Sequence, residues 1–306
     1  MTVFISEYTY NWAENMNEFI RVSKRIFKHH TKENIPDNFL GQWLITQFSV
    51  EKQAWNLNAA FNRCLEVLDI DPTNEEMLQK FKSHLGRFKS KITFNPADIS
   101  PEGKAKEFRR TSNGVIYDTK SEFISCSPNK WLYCDLEYLY SMLKVYQTFT
   151  RYTPRGQQLA LSDVILKEVA HQYKVCYEGF ASPMNRCLAI YYSAFPAIDE
   201  HFGSHGSFFD TEIKRNIYIN PPFVEEVLEK AFDNAEDSMS KNKINVLFIM
   251  PCWDDANAVI KAKASKYLKE TRMISKNEKA FLYYNATDKT YNTGPCDCYL
   301  FILSSK

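Results

Sequence analysis

Asn220-Pro221-Pro222-Phe223 is the stretch of this chain whose residue types and spacing make a chemical device. The side-chain oxygen of Asn220 and the carbonyl of Pro221 are adjacent acceptors that can take both hydrogens of a primary amine. An amine held in that way is drawn toward a pyramidal nitrogen, its lone pair aimed at an electrophile for in-line attack. The two prolines fix φ at about −65° and remove two backbone donors that would compete for those acceptors. Phe223 adds a ring face on which a flat heterocycle can stack. The blander alternative is a turn whose prolines only stop a strand from pairing further.

A device of this kind works only if rigid elements aim it. The strand-like Asn216-Ile217-Tyr218-Ile219 enters the tetrapeptide and the helix-like run from Val224 to Phe232 leaves it. Short apolar, β-branched runs at 174–180, 216–220, 244–250 and 298–303 predict strands, and 184–193 and 223–239 predict helices between them. Alternation of this sort argues for a mostly parallel sheet covered on both faces, with ligands beyond the carboxyl ends of the strands. The first half reads as helical. Trp12, Met16, Phe19, Ile20 and Ile26 form one stripe, a second helical region covers 38–69, and Asn74 caps another helix to about 86. Residues 87–126, with Asn95-Pro96, Ser100-Pro101 and Asn113-Gly114, predict a long loop or hairpin region, and an aromatic helix follows over 129–150.

With 306 residues, 44% hydrophobic and 25% charged, the chain has the composition of one large or two ordinary globular domains, not of a collagen-like or disordered polymer. No apolar run reaches the roughly 18 residues of a membrane span, and the start lacks the pattern of a signal peptide, so an intracellular protein with no membrane partner is expected. The eight cysteines form no Cys-x-x-Cys pair, which predicts free thiols and no zinc; Cys296 and Cys298 would share one face of a strand. His201 and His205 flank Gly203 and suit a solvated loop. Net charge is +1, but two stretches are strongly basic. One holds nine cations against three carboxylates over 80–110, and the other seven cations over 261–279 against Glu270 and Glu278. Each is either a solvated face or a phosphate-contacting surface.

The tetrapeptide resembles the [Asp/Asn/Ser]-Pro-Pro-[Tyr/Phe/Trp] signature of enzymes that use S-adenosylmethionine to methylate an exocyclic or amide nitrogen. The N6 amine of adenine, its lone pair delocalised into the ring, is the kind of poor nucleophile that needs such a device, and in a nucleic acid it must first be unstacked or flipped. Phe180-Ala181-Ser182-Pro183-Met184-Asn185, Tyr192-Ser193-Ala194-Phe195-Pro196, Phe202-Gly203-Ser204-His205-Gly206, the tetrapeptide and Phe248-Ile249-Met250-Pro251-Cys252-Trp253 follow in that order. In order and spacing they resemble the phosphorylated-CTD-interacting-factor family, the cap-specific adenosine N6-methyltransferases, over about 170–304.

That resemblance implies a Rossmann-like class I methyltransferase domain over 151–306 and, with the periodicity upstream, an amino-terminal helical domain over 1–150 that binds substrate RNA. It implies S-adenosylmethionine as cofactor and, as substrate, capped mRNA beginning with 2′-O-methyladenosine. By position, Asn220, Pro221, Pro222 and Phe223 are the catalytic residues. Phe180, Ala181, Ser182, Pro183 and Asn185 belong to the cofactor loop, with Asn185 expected at the start of a helix. Glu178 orients that loop, binds the cofactor amine or makes a buried structural bond. Phe202, Gly203 and Ser204 line the adenosine pocket or form a surface turn. The tryptophans at 12, 43, 55, 131 and 253 do not make the WW module of animal members, so polymerase-tail binding is not expected. The chain reads as a minimal catalytic core from a distant eukaryote or a large virus, nuclear by family analogy or cytoplasmic if viral. Methylation of internal RNA or DNA, protein glutamine methylation and a non-catalytic RNA-binding scaffold are the competing readings.

Overall fold

The structure, a computed structural model, describes residues 108–111, 114–117, 122–125, 134–152, 159–284 and 289–306, with isolated helical positions at Arg21, Lys24, Arg25, Lys28, Glu75, Gln79 and Ser83. Most of the expected amino-terminal helices, and all of the first basic stretch except Arg109 and Arg110, lie outside these residues. The helical positions that are described fit the expected pattern, since Arg21, Arg25 and Lys28 are exposed at spacings of four and three, as the polar side of an amphipathic helix requires. Two compact units share the chain, with the boundary between Pro154 and Arg155.

In the first unit, β1 (Phe108–Arg110), β2 (Gly114–Tyr117) and β3 (Glu122–Ser125) form an antiparallel meander inside the stretch read as a loop or hairpin. The Thr111 N–H donates to the Gly114 carbonyl at 2.9 Å and closes the first turn. Helix α1 (Leu136–Tyr152) packs on all three strands and buries Leu139, Met142, Leu143, Val145 and Tyr146. It starts at 136, not 129, because the Asp135 carboxylate accepts the Tyr138 N–H at 3.4 Å and caps the first turn.

The second unit runs β4 (Leu159–Leu161), α2 (Asp163–Tyr173), β5 (Tyr177–Ala181), β6 (Ile190–Ser193), α3 (Pro196–Asp199), β7 (Ile217–Ile219), α4 (Glu225–Lys241), β8 (Asn245–Pro251), α5 (Asn257–Ala264), β9 (Leu268–Ile274), β10 (Phe281–Tyr284), β11 (Lys289–Asn292) and β12 (Cys298–Ser304). Its central mixed sheet has six strands in the order β6-β5-β7-β8-β12-β9. The first four are parallel, and β12 lies antiparallel between β8 and β9. Outside β6, Tyr191 bridges Ser204 in parallel and the Ser193 N–H reaches the Gly206 carbonyl, so 204–206 adds a rudimentary further strand. A second sheet, β11-β10-β4, is antiparallel.

Strand β8 shows why the sheet is recognisable in sequence. All seven of its residues are buried, and alternate ones face different layers. Val246, Phe248 and Met250 pack with Leu228, Phe232 and Ala235 of α4 and Val259 and Ala262 of α5, while Leu247 and Ile249 pack with Leu166 and Val169 of α2. At Gly179 on β5 a Cβ would lie 2.9 Å from the Phe208 ring, so glycine lets that buried ring close on the strand.

Two expectations change. The helix expected over 184–193 is absent. A turn at 183–185 leads into β6, and β5 joins its parallel neighbour through 182–189 without a helix. Side chains, not periodicity, decide this segment. Asn185 and Ser182 bond each other, and Glu178 takes the N–H groups of Cys187 and Leu188 that helix bonds would otherwise use. The strand expected from 174 starts at Tyr177 because Lys174, at φ 53°, caps the end of α2, a helix that the sequence reading does not name. Among the described residues no helix is long and apolar enough to cross a membrane.

Candidate active site

Parallel strands β5, β7 and β8 end at one edge of the central sheet, and the chemistry-bearing residues follow those ends. Asn220 comes directly after β7. Its Nδ2 donates to the Leu159 carbonyl of β4 at 3.0 Å. A carbonyl can only accept, so this contact fixes which end of the amide is nitrogen and leaves Oδ1 as the end offered to a donor. Tyr218, two residues earlier and therefore on the same side of the strand, is fully buried, and its hydroxyl accepts the Leu161 N–H at 3.4 Å. Burial pushes its phenol well above the usual tyrosine range, with the Glu178 carboxylate adding to the effect, so the ring remains neutral. β4 is thus fastened at both ends of its three residues, to Tyr218 of β7 and to Asn220 just after it.

Pro221 is buried and Pro222 half-buried. Phe223 is half-buried, packs on the core clusters of both faces and meets the Trp253 ring edge-on, with centroids 6.4 Å apart at 71°. Trp253 enters just after β8 and is partly exposed. No local sequence pattern joins it to Phe223. Its place beside Phe223 follows from β7 and β8 being neighbours, with Ile219 paired to Phe248.

On the β5 side the polar groups are turned inward. Ser182 donates its N–H to Asn185 Oδ1 at 2.6 Å and its hydroxyl to the same oxygen at 3.0 Å, while the Asn185 N–H returns to Ser182 Oγ at 3.2 Å. Pro183 is buried beside them. These residues therefore lock a tight turn after Ala181. Asn185 does not start a helix, so no helix N-terminus follows β5 at this turn. Glu178, 1% exposed, accepts the Cys187 N–H at 2.8 Å and the Leu188 N–H at 3.0 Å on one oxygen. Burial pushes its carboxyl up to about 7, against the opposing pull of those bonds and of Arg186. Of the roles open to Glu178, these bonds fit both orientation of the loop and a buried structural bond. Phe180 turns into the core, with its ring 4.7 Å from Phe208 and 5.5 Å from Phe209.

Next along the edge, Ser193 at the end of β6 shares a 2.8 Å hydroxyl contact with Ser204. The Phe202 carbonyl accepts the buried Tyr191 hydroxyl at 3.1 Å. Gly203, exposed at φ 89°, ends a short 3₁₀ turn, so of this trio it is a surface turn residue while Ser204 joins the sheet edge.

The second basic stretch does not lie wholly on this edge. Lys261 is paired with Glu229 and Asp233 on α4, Lys263 with Asp254, and Arg272 with Glu270. Lys266 and Lys269 sit near the opposite, amino end of β9, and Lys276 and Lys279 follow its carboxyl end. Cys298 is buried in β12 and its Sγ lies 3.5 Å from the Cys296 carbonyl. Among the described residues no group of three or more histidines, cysteines or carboxylates could hold a metal ion.

Residues 116–284 match the family model described as the Phosphorylated CTD interacting factor 1 WW domain. Over 177 residues the chain is 27% identical to the human protein named mRNA (2′-O-methyladenosine-N(6)-)-methyltransferase, covering 50% of this chain and 25% of that one. Over 105 residues it is 31% identical to the mouse protein of the same name, covering 33% of this chain and 15% of the relative. The chain therefore spans a quarter or less of the length of these relatives. The family match runs from β2 into β10 and takes in the whole β5-to-β9 edge with its tetrapeptide. By that match, which covers more than half of its length, this chain belongs to the phosphorylated CTD interacting factor 1 family.

Proposed function

We propose that the chain methylates the N6 amine of the adenosine next to an mRNA cap, with S-adenosylmethionine as methyl donor. In this reading residues 151–306 are a Rossmann-like class I methyltransferase domain and 1–150 carry the RNA. The strand order, with one antiparallel strand inserted beside a parallel edge strand, supports that fold, and the names of the human and mouse relatives support the reaction. The observation that carries the reading is Asn220: its nitrogen is committed to Leu159, which leaves its oxygen to serve, with the Pro221 carbonyl of the next residue, as one of two amine acceptors.

The β5–β6 end of the edge fits the cofactor. Ala181, Ser182 and Pro183 make a close-packed turn of small residues for the amino-acid part, and the Ser193–Ser204 hydroxyl pair offers partners to a ribose. When bound, S-adenosylmethionine supplies an electrophilic sulfonium methyl. Asn220 Oδ1 and the Pro221 carbonyl hold the two amine hydrogens, and Phe223 supports the base. Transfer of the methyl from sulfur to nitrogen would make one of those hydrogens acidic, to be lost to water, so these residues would need no strong general base beside them. Exposed Lys276 and Lys279, beyond the carboxyl end of β9, are the members of the second basic stretch best placed to meet phosphates.

The test is transfer of labelled methyl to matched capped and uncapped RNAs beginning with adenosine or 2′-O-methyladenosine, followed by nucleoside digestion. Product confined to the capped adenosine is the expected result. Equal methylation of both RNAs moves the substrate to general nucleic acid, and no transfer despite cofactor binding favours a scaffold.

A further inference from the structure

Trp253 is one of four large apolar side chains that stand exposed among the described residues, at 37%, and it is the one beside the catalytic tetrapeptide. A half-exposed indole forgoes burial that would stabilise the fold, so its position needs a reason. Its backbone is fastened on both sides. The Trp253 N–H donates to Pro251 at 2.8 Å, its carbonyl accepts from Ala256 at 3.0 Å, and the preceding Cys252 N–H reaches Asp297 at 2.9 Å. The following residue, Asp254, is held by Lys263 at 2.7 Å and by the Tyr299 hydroxyl at 3.0 Å. These bonds fix the place from which the indole projects.

That place makes a corner with Phe223. Rings 6.4 Å apart at 71° meet edge to face, so their planes stand at a steep angle to each other. A flat heterocycle laid against one wall turns its edge to the other, which fixes its rotation as well as its plane. Asn220 and Pro221 come three and two residues before Phe223 in the chain, so rotation of a base held on that ring decides whether its amine meets their acceptors.

Building on the proposed N6 chemistry, we infer that Trp253 is a specificity-determining residue, the second aromatic wall that with Phe223 orients the acceptor purine. The other exposed apolar residues, Val164, Ile260 and Met273, lie on α2, α5 and β9 and make no such corner.

The test compares wild type with Trp253→Ala and Trp253→Phe, each first checked by thermal melting. Trp253→Ala is expected to raise the KM for adenosine-initiated RNA about ten-fold, the size of a lost stacking contact. S-adenosylmethionine affinity by calorimetry stays unchanged, and Trp253→Phe restores most of the loss. Unchanged RNA KM and kcat in Trp253→Ala overturns the inference, and so does an equal loss in both variants, which a purely structural role would give. If wild type transfers no methyl, the N6 reading fails by itself. The wall is then judged by quenching of indole fluorescence on adding a short adenosine-initiated RNA: loss of that quench in Trp253→Phe upholds it, and an undiminished quench overturns it.

Discussion

The two halves of the carboxyl edge of the central sheet are built on opposite principles. At β5 and β6 the polar groups of Ser182, Asn185 and Glu178 are spent on one another and on nearby backbone, and all three are buried. At β7 and β8 a single long-range bond, Asn220 to Leu159, holds an amide whose other end is left to be offered, and the rings beside it stay partly uncovered. The first half gains shape from short-range bonds among buried side chains and nearby backbone. The second keeps unspent capacity, as a region does when its partner arrives from outside. Under the proposed function the first half holds the cofactor, and the second receives a base that must enter and leave.

The largest effect is expected at the offered amide. Asn220→Ala removes one amine acceptor and should lower kcat by about 10²- to 10³-fold, as removal of one oxyanion donor does elsewhere. Melting temperature should change little, because one partly buried bond contributes about 1 kcal/mol. Asn220→Asp sharpens the comparison. Other carriers of this signature place Asp here, but a carboxylate would set a second acceptor against the Leu159 carbonyl, so single-turnover rates should fall as far as with Ala. An Asp variant within a few-fold of wild type would show that the Leu159 bond does not choose the residue.

This half of the site is legible in sequence only up to its partners. Two consecutive prolines after Ile217-Tyr218-Ile219 announce the end of a strand, and the continuous apolar run 245–251 announces a doubly covered one. Leu159, however, stands 61 residues before Asn220, and no local pattern joins them. The β5–β6 half misleads in another way. Met184, Leu188 and the aromatic pair at 191 and 192 fit a helical spacing, yet the Ser182–Asn185 exchange and the reach of Glu178 to Cys187 and Leu188 hold a turn and then a strand. Side-chain bonds to backbone outrank a weak apolar period wherever they are buried. The amino-terminal stripes at 9–29 and 38–69 fall outside the described residues.

Next in size is Glu178, the keystone of the closed half. Glu178→Ala leaves two backbone N–H groups without their acceptor, at about 1–3 kcal/mol each, and should lower the melting temperature and weaken cofactor binding together. Glu178→Gln keeps an acceptor oxygen and separates charge from shape. Because burial raises the folded carboxyl from 4.5 to about 7, the folded protein holds this proton more tightly than the unfolded chain does. The resulting stability is complete below about pH 4.5 and is lost as pH rises through about 7. Gln imitates the protonated form, so wild type and variant should melt alike near pH 4.5, and the variant should be more stable at pH 8 by up to about 3 kcal/mol. Denaturant titrations at both pH values check this, and a variant less stable than wild type at pH 8 would mean that the ionised carboxylate is what the loop needs.

Phe223→Ala tests the open half without touching an acceptor. Loss of the stacking face should cost about 1–3 kcal/mol in RNA binding, read as a raised KM with cofactor affinity preserved. A lowered cofactor affinity instead would mean that the two halves are coupled through this ring.

The smallest effect is expected at Ser193, where the closed half comes nearest to keeping something in reserve. Its hydroxyl shares the 2.8 Å contact with Ser204, and Ser204 Oγ also accepts the Gly206 N–H at 3.3 Å. Ser193→Ala therefore strips one partner from Ser204 without opening the sheet, because the backbone bond from Ser193 to Gly206 remains. Stability should fall by about 1 kcal/mol, the net worth of one such bond. If the hydroxyl pair also meets the ribose of the cofactor, calorimetry will show cofactor affinity falling several-fold in the variant while the KM for RNA holds. If only stability changes, Ser193 belongs with Ser182 and Asn185 as a residue spent on its neighbours, and the ribose contact must be sought elsewhere along the edge.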